Sequence, residues 1–152
     1  MTTNCLALLY PRDQEVWRPV LGREGEYEIS SLGAVRSLPR MRRRAASPLF
    51  PNGIDVKWKG KVLAPAPLAR GHMFVMLGRK DGRLVHRLML EAFVGPCPDG
   101  MEGLHWNDRP SDNWIGNLRW GTRLENINDA FRNGGRMRSL NPDPRCGKRK
   151  RK

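Results

Sequence analysis

Cysteine is scarce in this chain. The three present, Cys5, Cys97 and Cys146, lie far apart, are odd in number and form no Cys-x-x-Cys pair. That pattern speaks against a disulfide framework and a structural zinc knuckle, and it suits a reducing cytoplasm. Long apolar runs are absent as well, so no membrane-spanning helix is expected and no membrane partner. The run from Cys5 to Tyr10 lacks a basic start and a small-residue cleavage site and is not read as a signal peptide. Acidic residues are few: 15 Asp and Glu stand against 28 Lys and Arg, a formal charge of +13. An excess of that size points to a polyanion, of which nucleic acid is the commonest. A basic tail serving solubility or attraction to a membrane surface is the plainer alternative. A length of 152 residues and a hydrophobic share of 39% allow one domain, or one domain and a small module, around a modest core. They exclude wholesale disorder.

The charge is clustered. Arg36, Arg40, Arg42, Arg43 and Arg44 form one group, and Lys148 to Lys152 is an unbroken basic run. From Arg138 onward Pro and Gly accompany the cations and apolar residues nearly vanish, which predicts a disordered cationic tail. Residues 14–38 read as a small folded unit. Tyr27 and Ile29 alternate with Glu28 and Ser30, a turn follows at Ser31 to Gly33, and Val35 resumes a strand. The stretch from Ala45, rich in Pro, Gly and basic residues, reads as a linker or long loop up to about residue 60.

Order is expected to return at Lys61. Val62-Leu63 suggests a strand that Pro65 and Pro67 break. His72 to Leu77, a turn at Lys80 to Gly82 and Arg83 to Val85 predict a hairpin. His86 to Phe93 then turns helical, with Leu88, Met89, Ala92 and Phe93 on one face and Gly95-Pro96 as the stop. Leu104-His105-Trp106 reads as a strand end, 107–113 as a loop, and Asn117 to Trp120 as a second strand. Thr122-x-x-Glu125 is a capping box that announces a helix ending at Gly134-Gly135. At about 100° per residue, Leu124, Ile127 and Phe131 share one face, expected to pack on a core. Asn126, Asp129 and Asn133 share the opposite, polar face.

Chemistry concentrates on this segment. Histidine acts as a base near neutral pH, and His105 stands at a strand end beside a polar loop. An Asn amide oxygen is a hard ligand suited to Mg²⁺, and Asn117 and Asn126 follow His105. A histidine that deprotonates water beside such an ion can hydrolyse a phosphodiester.

The ordered set Val85-His86-Arg87-Leu88, Glu91-Ala92-Phe93-Val94-Gly95, Leu104-His105-Trp106-Asn107-Asp108, Asp112-Asn113, Asn117-Leu118-Arg119-Trp120-Gly121-Thr122 and Glu125-Asn126 resembles the HNH endonuclease domain, in its phage and homing-endonuclease branch. The resemblance spans roughly 61–135 and implies an α+β fold with a ββα-metal (His-Me finger) core. Upstream, Glu15 to Val20 and Tyr27 to Leu38 resemble the small strand-rich DNA-binding module that commonly precedes such domains. The organisation implied is an N-terminal segment 1–13, a DNA-binding module 14–44, a linker 45–60, an HNH nuclease domain 61–137 and a basic tail 138–152.

The resemblance implies that His105 is the general base and that Asn117 fixes the loop and orients it. It implies that Asn126 binds the divalent ion, Mg²⁺ or alternatively Mn²⁺. Asp129, one turn on and on the same face, is a candidate second ligand or water holder. Leu104 departs from members that place a metal-binding Asp directly before the histidine, and Asp108, Asp129 or the scissile phosphate is left to complete the shell. Asn133 stands where related sequences often carry His before Gly. His86 reads mainly as a helix-start or packing residue. The expected partner is double-stranded DNA, gripped by Arg36, Arg40, Arg42, Arg43 and Arg44, with Arg109, Arg119 and Arg123 near the site. The expected state is a monomer or weak dimer. The first rival is a DNA-binding protein with a silent site, which Leu104 supports. The second is an interaction protein whose basic patches bind RNA or an acidic phage assembly component.

Overall fold

The structure is a computed structural model and describes residues 5–134. The predicted basic tail, with Cys146, lies outside the described residues. A short helix α1 (Cys5–Leu9) leads into β1 (Trp17–Pro19), β2 (Tyr27–Ser30) and β3 (Val35–Ser37). These strands form an antiparallel sheet in the order β1-β2-β3-β6, where β6 is Lys61–Leu63. The β2–β3 turn is stitched by Ser30, whose hydroxyl accepts from the amides of Leu32 and Ala34. Gly33 supplies the left-handed residue, with φ +93°.

Between β3 and β6 the chain leaves the sheet and returns. The stretch expected to be a linker is instead part of a hairpin: β4 (Arg40–Arg44) pairs antiparallel with β5 (Ile54–Trp58). The Pro and Gly that suggested a loop build its tip. Gly53 closes the turn with φ +71°, and a Cβ there would lie 2.6 Å from the Arg44 carbonyl oxygen.

A second antiparallel sheet contains β7 (Ala66–Pro67), β8 (Met73–Met76) and β9 (Gly82–Leu84), with no residue between β9 and α2 (Val85–Phe93). Val85, Leu88, Met89, Leu90 and Phe93 of α2 join Val20, Tyr27, Ile29 and Val35 of the N-terminal sheet and Val75 and Leu77 in one buried cluster. Ile115 and Leu118 complete it. The N-terminal unit and the segment after residue 61 therefore share a core, and no linker separates them.

The last unit is β10 (Glu102–His105), a 3-10 turn (Ile115–Asn117), β11 (Leu118–Gly121) and α3 (Arg123–Arg132). β10 and β11 pair antiparallel, with Leu104 opposite Arg119 and His105 opposite Leu118. The capping box at Thr122 and Glu125 is formed as predicted. The expected packing of α3 is overturned. Leu124 is 67% and Phe131 48% exposed, and the only buried residue of the helix is Asp129. The helix turns its polar face inward because the strands beneath offer it Arg119 and Glu102, and these polar groups need partners.

Candidate functional site

His105 is the last residue of β10 and is buried. Strand alternation places Gly103 and His105 on one face and Glu102 and Leu104 on the other. On the first face the imidazole meets two more. The rings of His86 and His72 lie 5.2 Å and 5.8 Å from it, centroid to centroid, and 5.0 Å from each other. Gly103 leaves room for this packing, since a Cβ there would approach His86 to 2.8 Å. Burial lowers the pKa of His105, and neighbouring His72 adds to the effect, while Asn113, Asp112 and Asp108 oppose it. Burial, with His105, His72 and Arg87, pushes His86 down to about 3. His72 is lowered by burial and by Arg70. All three rings thus favour the neutral form.

The loop after His105 is held by amides. His105 Nε2 lies 3.4 Å from Asn113 Oδ1. Asn117 donates from Nδ2 to Asn107 Oδ1 and to the Asp112 carbonyl, each at 2.9 Å, and its Oδ1 accepts from the Asn107 amide. Its carbonyl accepts from the Trp106 amide. Asn117 therefore fixes the loop, and the side chain that reaches His105 is Asn113. Asp108 sits inside the loop at φ +52°, a left-handed conformation that Asp tolerates better than most residues. The N-terminal segment docks here as well: Arg12 pairs with Asp112 at 3.1 Å and lies over the Trp114 ring.

On the other face of β10, Asn126 of α3 donates from Nδ2 to Glu102 Oε1 at 2.9 Å. Asp129 is taken up by two guanidiniums, Arg119 at 2.6 Å and Arg132 at 3.0 Å. Leu104 offers no donor. Among the described residues, no group of three or more His, Cys, Asp or Glu converges on a metal position. A hard divalent ion nonetheless fits the Asn126–Glu102 pair. Neighbouring oxygen ligands of octahedral Mg²⁺, each at about 2.1 Å, lie about 3 Å apart. Turning the Asn126 amide over would present two oxygens at that spacing, with water and phosphate filling the rest. Asp129 as a ligand would first have to release a guanidinium.

The arginines divide. Arg36 is bound to Glu28 at 2.6 Å and stacked over Trp17. Arg40 donates to the Glu26 carbonyl and covers Tyr27. Arg119 holds Glu125 and Asp129 and lies over Trp106. These three, expected to grip phosphate, are already paired with carboxylates of the protein. Arg42, Arg43 and Arg44 are exposed on β4, and Arg109 is exposed in the site loop. Arg123 is exposed at the start of α3.

Sequence reasoning assigned no role to Asn113 or Glu102 and none to His72. Glu102 was findable, because it lies two residues before Leu104 and so shares its strand face. Asn113 was not, since loop closure alone brings it to His105.

Residues 83–127 match the sequence model of a family described as HNH endonuclease. Residues 15–78 match one described as the NUMOD4 motif. No curated protein matches the chain. A solved structure entitled "DNA binding and cleavage by the HNH homing endonuclease I-HmuI" is similar, with TM-score 0.60 and 23% identity over 80% of this chain. This chain spans 61% of that one's length. Residues 15–78 are thus similar to the NUMOD4 motif and residues 83–127 to the HNH endonuclease family, and the fold is similar to that of the solved homing endonuclease.

Proposed function

We propose that this protein is a metal-dependent, homing-type endonuclease, phage-encoded and active in the host cytoplasm, that hydrolyses phosphodiester bonds of double-stranded DNA. The observation that carries this reading is His105, a buried neutral imidazole at a strand end, with a hard-ligand pair on the opposite face of the same strand. In-line displacement needs the nucleophile and the leaving group on opposite sides of phosphorus, and this arrangement supplies a group for each.

With Nε2–H donating to Asn113, Nδ1 of His105 carries the free lone pair. It takes a proton from water, the water oxygen attacks phosphorus, the bond to the 3′ oxygen breaks, and that oxygen takes a proton from solvent while His105 returns its own to solvent. The products are a 5′ phosphate and a 3′ hydroxyl. Asn117 keeps the loop, and through it Asn113, in place. Asn126 and Glu102 would hold Mg²⁺ or Mn²⁺, which when bound neutralises charge developing at the leaving oxygen. One copy acting alone nicks one strand, and a weak dimer on a symmetric site would cut both. Arg42, Arg44 and Arg109 grip phosphates, with Arg123 beside them, while Arg43 pairs with Asp55.

Leu104 favours a second reading, a DNA-binding protein whose site is silent. Supercoiled plasmid, incubated with the protein and Mg²⁺, Mn²⁺ or EDTA, separates the two. The nuclease reading expects metal-dependent open circle or linear DNA, lost in His105→Ala while gel-shift affinity is kept. DNA that is shifted but never cut, on plasmid or phage genome, would support the silent binder. Because a base must be unprotonated to act, cleavage should fall as pH drops through the lowered pKa of His105. The acid limb of kcat/KM is therefore expected below pH 6.5, the ordinary histidine value.

A further inference from the structure

The β4–β5 ribbon ends in an apex that nothing above explains. Ser47 and Phe50 exchange both backbone hydrogen bonds, each at 3.0 Å, so Pro48 and Leu49 form a closed two-residue turn. The Gly53 amide donates to the Phe50 carbonyl at 2.9 Å, and Arg43 braces the base of the tip through the Asn52 carbonyl at 2.6 Å and Asp55 at 3.1 Å. Prolines at 48 and 51 stiffen the turn. The side chain this scaffold presents is Leu49, at 85% the most exposed large hydrophobic residue among those described. Phe50, the next residue, is exposed as well.

A rigid turn that holds Leu49 and Phe50 together in water is shaped for a partner that buries them. The surroundings define that partner. Arg42, Arg44, Lys57 and Lys59 are exposed along the two strands, and Asp55, the one acidic group of the ribbon, is already paired with Arg43. An apolar point flanked by cations matches the profile of duplex DNA, in which apolar base faces lie between two rows of phosphates. Apolar side chains that enter a base step unstack it and kink the duplex.

We propose that the Pro48-Leu49 apex is a wedge that inserts between adjacent base pairs while Arg42, Arg44 and Lys57 hold the flanking phosphates, so that bound DNA is kinked at the ribbon tip. This rests on the DNA-binding part of the reading above and is independent of whether the site cuts.

The test uses the full chain in EDTA, on duplexes selected for binding from a random library and labelled with a donor and an acceptor dye at their ends. Wild type should bring the ends closer at saturation. Leu49→Ser should bind within about threefold of wild type with the same salt dependence, yet leave the end-to-end distance near that of free DNA. Arg42→Ala with Arg44→Ala should do the opposite: the bend persists at saturation, while affinity falls and the slope of log K against log salt drops by about 2. An unbent wild-type complex, or a Leu49→Ser complex bent like wild type, overturns the wedge and leaves DNA binding intact. Failure to shift any duplex at low salt overturns the DNA reading itself and the wedge with it. A dimer in sedimentation that Leu49→Ser dissolves would make the apex a protein contact and overturn the proposal.

Discussion

Helices α2 and α3 are nine and ten residues long, both amphipathic, and held in opposite ways. α2 lies in the core: Leu88, Met89 and Leu90 are fully buried, and its first turn carries the buried, neutral His86. α3 buries one residue, a carboxylate, and leaves its leucine and phenylalanine in water. It is attached by direction rather than depth. The capping box fixes its start, Arg119 reaches Glu125 and Asp129, Glu102 accepts from Asn126, and the Trp106 carbonyl accepts from Arg132 and Asn133. Hydrophobic contact fixes how much surface is buried, whereas hydrogen bonds fix orientation. The helix that carries Asn126 is the one held by orientation.

The contrast can be broken from the α2 side first. Leu88→Ala removes a fully buried side chain and should lower global stability by about 2–5 kcal/mol, read as a lower urea midpoint for all probes together. Acid should come next. The folded pKa of His86 lies near 3, below the unfolded value of 6.5, so the unfolded chain binds the proton more readily. The stability contributed by keeping this group neutral is complete above about pH 6.5 and is lost as pH falls. Between pH 7 and 4.5 His86 alone accounts for about 3 kcal/mol, and urea midpoints at the two pH values in wild type and His86→Leu would measure it.

The α3 side should respond locally. Arg119→Met strips Asp129 of one of its two cations at a buried position. The cost is expected near 2 kcal/mol, less than for a fully orphaned buried charge because Arg132 remains. Hydrogen exchange should speed up across 123–132 and stay unchanged across 85–93. The smallest effect sharpens the comparison most. Leu124→Ser, on the face that periodicity assigns to a core, should shift thermal stability by no more than about 0.5 kcal/mol. A loss as large as that of Leu88→Ala would mean that the apolar face of α3 is buried after all.

The same contrast explains what the sequence disclosed. The β10–loop–β11–α3 order, the capping box and the α2 stripe were legible because each rests on spacing within a few residues. The inward face of α3 was not. Period 3.6 separates two faces but does not say which is covered, and here the polar groups of Glu102 and Arg119 decided it. The β4–β5 ribbon was hidden because its partners are joined by Pro- and Gly-rich turns that, taken alone, look like a loop. At the site, His105, Asn117 and Asn126 were legible as residues of an ordered motif. The contact of Asn113 with His105 and that of Glu102 with Asn126 depend on closure in space.

One close approach bears on how portable the segment that carries His105 is. A Cβ on Gly33 would stand 3.0 Å from Asn113 Cβ and 3.2 Å from its carbonyl oxygen, at a backbone φ of +93°. The neighbouring Ser31 carbonyl accepts from the Ile115 amide. The hairpin turn of the N-terminal motif is thus the floor under the residue that touches His105. Excising residues 83–134, or grafting them onto another N-terminal module, would remove that floor together with half of the core. Any chimera would have to bring a glycine-bearing turn of the same shape to the same place, so the two matched segments are interchangeable in sequence only, not as building blocks.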